Sequence, residues 1–224
     1  MPPDILQALV RTIELKDLST AAHTWRVVLY TRAMAERFRL DPERIASLTA
    51  GAALHDLGKL DIPDHILRKP GRLTDDEFEV IKTHPVRGHE RLINMGETDP
   101  IVLGLVRNHH ERIDGLGYPD RLTGDAIPLS ARYFAVIDTF DALTSLRPYR
   151  SAIGPDAVPA ALDELRKGIG TRYDAECVQA FIELFQHGEL DWIMEHFNDT
   201  ACPLPYCGER VEHTRQDLKR LKTT

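Results

Sequence analysis

Histidine and aspartate side chains that can bind a metal ion are the clearest chemical feature of this 224-residue sequence. It contains 10 histidines, several of them beside carboxylates or at breaks in apolar helical patterns. His55 and Asp56 are adjacent at the end of one apolar run, and His109 and His110 end another. Three further candidates are isolated in the sequence: His23, His84 and Asp138. Imidazole and carboxylate groups together suit iron, manganese, zinc and similar divalent ions.

The candidate ligands are more numerous than one metal ion needs. Five histidines and two aspartates fit a two-metal site, in which a carboxylate bridges the ions and a shared hydroxide acts as the nucleophile. The number and type of the candidate ligands therefore favour a two-metal site.

Each candidate also has a purely structural interpretation. A His-Asp dipeptide occurs by chance, and adjacent helical residues such as His109 and His110 diverge by about 100°, so one could lie in the core and one on the surface. Asp138 lies in an apolar run, where a carboxylate needs a partner; a salt bridge or a helix cap would satisfy it as well as a metal. The combination favours the metal site. The remaining histidines lack this context and are interpreted as surface or structural residues: His65, His89, His187, His196 and His213.

Composition limits the classes of partner. The formal net charge is -7, which argues against DNA and against an anionic membrane surface as partners. No segment approaches the roughly 20 apolar residues that span a bilayer, and the N-terminus lacks a basic and an apolar signal region. Three cysteines are too few for a disulfide framework. We expect a cytoplasmic protein with one main domain.

The elements that must position the candidate ligands are helices, because apolar residues recur at helical spacing and alternating strand patterns are scarce. Asp41 and Pro42 form a helix start, and Thr74 with Glu77 has the spacing of a capping box. The second helix is predicted to reach at least Thr83 before Pro85 interrupts it. Further helices are predicted over residues 100–111, 130–145, 155–167 and 175–185, with long loops over 58–73 and 113–128. The predicted fold class is all-α.

The order of these motifs resembles the HD-GYP family, a branch of the HD-domain phosphohydrolases. The HD part matches at residues 55–59 (His-Asp-Leu-Gly-Lys), and the GYP part at 109–119 (His-His-Glu-Arg-Ile-Asp-Gly-Leu-Gly-Tyr-Pro). The match continues through residues 127–132, 138–145 and 147–150 and covers about 14–185. Motifs of this length and order are highly specific.

The resemblance implies an HD-domain helical bundle with an HD-GYP extension that hydrolyses the bacterial second messenger cyclic di-GMP to the linear dinucleotide pGpG or to GMP. It implies two divalent ions, Fe or Mn, bridged by Asp56. The metal ligands that it implies are His23, His55, Asp56, His84, His109, His110 and Asp138.

Other roles also come from the resemblance. Asp56 and Lys59 are the implied catalytic residues, with Lys59 near the scissile phosphate. Arg147 and Arg150 match positions that bind the substrate's phosphates. The GYP loop shapes the pocket, with Tyr118 facing the substrate, and contacts partners such as a diguanylate cyclase: Gly117, Tyr118 and Pro119. A helix C-terminal cation at Lys59 and a surface turn around Pro148 remain structural alternatives for these cations.

Two features depart from the family pattern or lie beyond it. Ser19 occupies the position of a glutamate that helps hold a third metal in some members, so two ions are expected. Residues 1–187 are assigned to the HD-GYP catalytic domain and 188–224 to an appendage of unknown role. Cys202 and Cys207 in that appendage make at most half of a zinc site. The alternative functions are a catalytically weak cyclic di-GMP sensor or interaction module, and an HD-domain enzyme acting on another phosphoester.

Overall fold

The computed structural model describes residues 1–17, 21–145, 156–198 and 206–207. Within these residues the fold consists of helices and loops, with two isolated β-bridges and no strand. The helices are α1 (Pro3–Asp17), α2 (Ala21–Arg37), α3 (Pro42–Leu54), α4 (Asp64–Leu67), α5 (Asp75–Ile81), α6 (His84–Asn94), α7 (Pro100–Asn108), α8 (Leu129–Thr144), α9 (Ala157–Lys167), α10 (Ala175–Gln186) and α11 (Asp191–His196). Short 3₁₀ helices cover Leu57–Asp61 and Gly124–Ala126. The all-α prediction is confirmed.

Local sequence signals set the predicted helix starts. The Asp41 carboxylate accepts a hydrogen bond from the backbone N–H of Arg44 at 2.9 Å, and Pro42 occupies the first turn of α3. Thr74 and Glu77 form a complete capping box at the start of α5. Each bond satisfies an N–H group that has no partner inside its helix.

The prediction around Pro85 is wrong in one respect. The capped helix ends at Ile81, and Pro85 lies in the first turn of a separate helix, α6, that begins at His84. A proline in the first turn removes an N–H that would have no helical acceptor, so it is compatible with a helix start. The break places His84 at a helix terminus that faces the ends of α3 and α7.

The core surrounds α2, which is buried along most of its length. Tyr30 of α2 packs edge-on against Phe140 of α8 and Phe181 of α10, with ring centroids 5.8 Å apart in both pairs. Because α2 and α8 pack against each other, their polar residues can meet in the interior.

Residues after Gly188 contribute to the same core. Leu190, Ile193, Phe197 and Tyr206 are all buried, with at most 5% of their surface exposed. The described part of the chain contains no helix with the length and apolar character that crossing a bilayer requires.

A close backbone contact brings the 3₁₀ helix that follows α3 against α6. A Cβ atom at Gly58 would lie 1.8 Å from the carbonyl oxygen of His84 and 2.6 Å from the backbone nitrogen of Gly88. Only glycine allows this approach, because the obstructing atoms belong to the backbone. The contact sets the distance between the His55-Asp56 motif and His84.

Candidate metal centre

Five candidate histidine ligands meet in two groups, one of which includes Asp56; these histidines lie in α2 and α6 and directly after α3 and α7. The first group consists of His84, His109 and His110, and the second of His23, His55 and Asp56. Within each group the ligand atoms lie within 4.8 Å of one another. These groups bring together six of the seven predicted ligands.

The pair His109 and His110 differs from the expected helical arrangement. The predicted helix over 100–111 ends earlier, at Asn108, so neither histidine lies within α7. Their ring centroids are 4.1 Å apart, and both rings contact the buried His84, with centroids 5.2 and 5.1 Å away. The interpretation with one core and one surface histidine is wrong, because both rings face the same buried side chain.

Backbone acceptors set the tautomers of three ligand histidines. Nδ1 of His55, His84 and His109 lies 2.8–3.0 Å from the carbonyl oxygen three residues earlier. A carbonyl only accepts, so each Nδ1 carries the proton, and Nε2 is the nitrogen left to face a metal. Nε2 of His84 and Nε2 of His109 are 3.2 Å apart. Two facing lone pairs repel each other, and a cation between them removes the repulsion, so this donor set fits a metal ion.

Asp56 lies between the two groups. Its Oδ2 is 3.1 Å from Nε2 of His55, and its Oδ1 is 3.5 Å from Nε2 of His84. Each carboxylate oxygen therefore faces a different group. This geometry suits a bridging ligand.

The pKa values of the first group favour metal binding. Burial, followed by the charge of His109, lowers the pKa of His84 to about 3, and burial, followed by the charge of His55, lowers that of His109 to about 4. Burial also holds the pKa of His110 well below its ordinary value. Neutral imidazole is the form that binds metal, so all three are ready to act as ligands at neutral pH.

In the second group, neighbouring charges outweigh burial in setting the pKa values. Burial disfavours ionisation of Asp56, but His55 and Lys59 beside it hold its pKa well below the usual range. Burial likewise disfavours a charge on His55, but Asp56 raises the pKa of that histidine above its ordinary value. Asp56 is therefore a carboxylate.

Asp138 is half-buried on α8 beside both groups. Its carboxylate contributes to the raised pKa of His55 and only partly offsets the effect of burial on the pKa of His109, which stays lowered. Neither group of three mutually close ligand atoms includes Asp138. Its role as a ligand stays a prediction.

Lys59 is held between two carboxylates. Its Nζ donates to Oδ2 of Asp56 at 2.8 Å and to Oδ2 of Asp17, at the end of α1, at 2.7 Å. Burial lowers the pKa of this ammonium group, but the two carboxylates outweigh that effect and raise the pKa above its ordinary value. Lys59 is thus a fixed positive charge at the edge of the candidate centre.

The GYP loop folds back on His110. The Tyr118 ring lies 4.8 Å from the His110 ring, and its backbone N–H donates to the His110 carbonyl at 3.2 Å. A Cβ atom at Gly117 would lie 2.4 Å from the backbone nitrogen of Arg112, so this position requires glycine. Pro119 follows Tyr118 through a cis peptide bond. Burial, then Asp138, raises the pKa of the Tyr118 hydroxyl, which therefore stays protonated.

The Glu111 side chain holds the GYP loop through hydrogen bonds. It is buried, and its carboxylate accepts from the backbone N–H of Asp120 at 2.6 Å and from that of Leu122 at 3.1 Å. Arg107 binds the Asp120 carboxylate through two bonds of 2.7 and 2.8 Å. The loop between residues 111 and 122 is thereby tied to the end of α7.

Asp141 lies in the 138–145 motif, but the sequence analysis assigned it no role. It is fully buried, and its Oδ2 accepts from Nδ1 of His23 at 2.8 Å. Burial would raise the pKa of Asp141, but Arg26 and His23 hold it well below the usual range. Its helical spacing of three from Asp138 was the available signal. Six residues named in the sequence analysis lie outside the described residues: Ser19, Arg147, Pro148, Arg150, Cys202 and His213.

Comparison with known proteins places the chain in a family. The family model for the HD domain matches residues 7–177. The chain belongs to the HD domain family.

Curated relatives refine this assignment. The cyclic di-GMP phosphodiesterase response regulator RpfG of Xanthomonas campestris pv. campestris is 44% identical over 200 residues, covering 88% of this chain and 51% of the relative. A cyclic di-GMP phosphodiesterase of Vibrio cholerae is 39% identical over 202 residues, covering 84% of this chain and 40% of the relative. The chain thus spans about half the length of these relatives. The resemblance of this HD domain to the HD-GYP branch is confirmed.

A solved structure supports the fold. The structure of a cyclic GMP-AMP specific phosphodiesterase of V. cholerae has a TM-score of 0.65 at 16% sequence identity, covering 94% of this chain and 57% of that one. At this identity the match concerns the fold, which is that of an HD domain. HD-domain phosphohydrolases use divalent metals, and the His and Asp clusters of this HD domain can hold them.

Proposed function

We propose that this HD domain is a metal-dependent phosphodiesterase that hydrolyses cyclic di-GMP to linear pGpG, GMP or both. The observation that carries the proposal is Asp56, whose two oxygens face one histidine group each. The names of the curated relatives support the choice of substrate. Residues 1–187 are the proposed catalytic domain and 188–224 an appended segment.

Two divalent ions, Fe or Mn, are the proposed cofactors, without a third. His84, His109 and His110 would hold one ion, His23 and His55 the other, with Asp56 between them and Asp138 completing the site. When bound, such ions neutralise phosphate charge and activate water near neutral pH.

The protein's own side chains bind and orient the substrate. Lys59 Nζ is a compact charge without ligand capacity, so it can bind a phosphate oxygen without competing for metal. The protonated Tyr118 hydroxyl can donate a hydrogen bond to the substrate. Arg147 and Arg150 are the proposed clamp on its phosphates, since guanidinium groups bind phosphate through paired bonds. These cations allow an acidic protein to bind an anionic substrate.

Partner and location follow from the same proposal. Leu116 beside the GYP motif is 75% exposed, which offers an apolar contact for a diguanylate cyclase or another regulatory protein. The cytoplasm is the proposed location, because cyclic di-GMP is an intracellular messenger.

The test is turnover by anaerobically purified protein loaded with Fe(II) or Mn(II). Cyclic di-GMP and cyclic GMP-AMP are supplied separately, and products are separated by chromatography. Asp56→Ala should lose metal and activity together with little change in helix content. Asp61→Ala is the matched control, because its carboxylate pairs with Arg91 at the surface at 2.6 Å; it should retain both.

Two results would overturn the proposal. Turnover by Asp56→Ala at normal metal content would remove Asp56 from the bridging role. No turnover of cyclic di-GMP by wild-type protein holding two ions would favour the sensor, or an enzyme for another phosphoester if cyclic GMP-AMP is cleaved.

A further inference from the structure

The segment 190–198, named here the C-terminal clasp, packs on α2 next to the candidate metal centre. It lies beyond residue 177, where the family match ends. Phe197 of the clasp stacks on Trp25 with ring centroids 5.0 Å apart, and Tyr206 contacts the same indole edge-on at 5.2 Å. These contacts fix the backbone of the clasp beside Arg26, the residue that follows Trp25.

Arg26 joins the clasp to the interior of the domain. Its Nη1 donates to the carbonyl oxygen of Phe197 at 2.7 Å. Its Nε donates to Oδ1 of Asp141 at 2.5 Å, and its Nη2 to the Ser145 hydroxyl at 2.7 Å. The Arg26 side chain is only 4% exposed, so water does not replace these partners.

Asp141 connects Arg26 to the candidate ligand His23. Its Oδ2 accepts the Nδ1 proton of His23, which leaves Nε2 of that ring to face the group formed with His55 and Asp56. Carboxylates in this position fix the orientation and tautomer of a ligand histidine. If the Arg26 guanidinium changed its orientation, the Asp141 carboxylate would have to move as well. Both groups are buried, and each neutralises the charge of the other.

We propose that the C-terminal clasp is a positioning element of the metal centre, in which the Phe197 carbonyl holds Arg26, Arg26 holds Asp141, and Asp141 orients His23. Arg26 and Asp141 are positioning residues, since neither belongs to a ligand group. The clasp gives part of the appended segment a function within the catalytic unit. This inference rests on the proposed metal centre.

The test is a titration of the full chain with Mn²⁺. Binding is measured by calorimetry and by the EPR signal of free Mn²⁺. Wild-type protein should bind two ions. Phe197→Ala removes the stacked ring and leaves the carbonyl unanchored, so one ion should bind about 10-fold or more weakly while the other is unchanged. Phe197→Tyr retains the ring and should bind both ions as wild type does.

The matched control is Phe38→Ala. Phe38 stacks on Tyr133 with a centroid distance of 4.8 Å and an interplanar angle of 20°, close to the 5.0 Å and 21° of Phe197 on Trp25. It lies after the end of α2, away from Arg26. Phe38→Ala should lower the thermal midpoint and leave both Mn²⁺ affinities unchanged.

The outcomes separate this inference from the proposed function. If wild-type protein does not bind two Mn²⁺ ions, the proposed metal centre itself is refuted. Two ions bound with unchanged affinity by folded Phe197→Ala, or equal weakening in Phe38→Ala, refutes the clasp. If Phe197→Ala does not fold, Arg26→Lys takes its place: it keeps the charge beside Asp141 but cannot reach all three acceptors, so it should weaken the same single ion, and unchanged binding overturns the inference.

Discussion

Gly58→Ala tests whether the packing of two backbones sets the metal–metal geometry. The added Cβ would lie 1.8 Å from the carbonyl oxygen of His84 and 2.6 Å from the backbone nitrogen of Gly88. A carbon and an oxygen need about 3.2 Å, slightly below the optimal spacing of non-bonded atoms, so the 3₁₀ helix and α6 must separate by roughly 1.4 Å. Overpacking of this kind costs about 1–3 kcal/mol, or about 2–12 °C in Tm for a chain of this size.

The separation should also affect metal binding. Oδ1 of Asp56 lies 3.5 Å from Nε2 of His84, and a further ångström would prevent the carboxylate from reaching both groups. We therefore expect Gly58→Ala to bind fewer than two Mn²⁺ ions with wild-type affinity, measured by calorimetry, alongside the lower Tm.

Gly104→Ala is the control for this prediction. Gly104 lies on α7, which precedes His109, and a Cβ there would meet only side-chain atoms, those of Pro128 at 3.3 Å and the Ser130 hydroxyl at 3.7 Å. It should not lower Tm, because alanine is the better helix former, and it should leave the metal content unchanged. Wild-type metal affinity and Tm in Gly58→Ala would refute the reasoning.

Three other predictions concern the surroundings of the centre. Asp17→Asn removes one of the two carboxylates that hold Lys59, and should lower kcat by about 10-fold at unchanged metal content; loss of metal instead would contradict a role through Lys59. Glu111→Gln should speed amide hydrogen exchange over residues 117–122 and raise KM, because it weakens the acceptors of two loop N–H groups; unchanged exchange would contradict this anchor. Burial, then Asp174, raises the pKa of the Cys177 thiol, so it should resist iodoacetamide at pH 8 in the folded protein. Because the unfolded thiol ionises near pH 8.5, its contribution to the free energy of unfolding is constant below that pH and decreases above it, a slope that Cys177→Ala should remove.

The sequence was sufficient for features that depend on near neighbours. The starts of α3 and α5 follow from Asp41 and Thr74, whose side chains bond to backbone groups three residues later. The helical class follows from apolar spacing. The ligand types follow from motifs such as His55-Asp56, and the family match extends this to the order of the motifs along the chain.

Tertiary structure decided which of these residues meet. His23 and Asp141 are 118 positions apart, and Lys59 and Asp17 are 42 apart, yet both pairs form hydrogen bonds. No local pattern predicts such pairs, because they depend on how whole helices pack. The end of α7 at Asn108 also needed the fold, since the sequence pattern predicted a helix that reaches residue 111.

One physical reason explains why some features follow from the sequence and others only from the tertiary structure. Hydrogen bonds within a helix and its caps join residues three or four apart, so sequence alone determines them. The two metal groups depend instead on the separation of backbones, which Gly58 and Gly88 set by close contact, and on buried charges that need partners from another helix. The sequence determined which ligands exist, and the packing of α2, α3, α6, α7 and α8 decided that Asp56 lies between them.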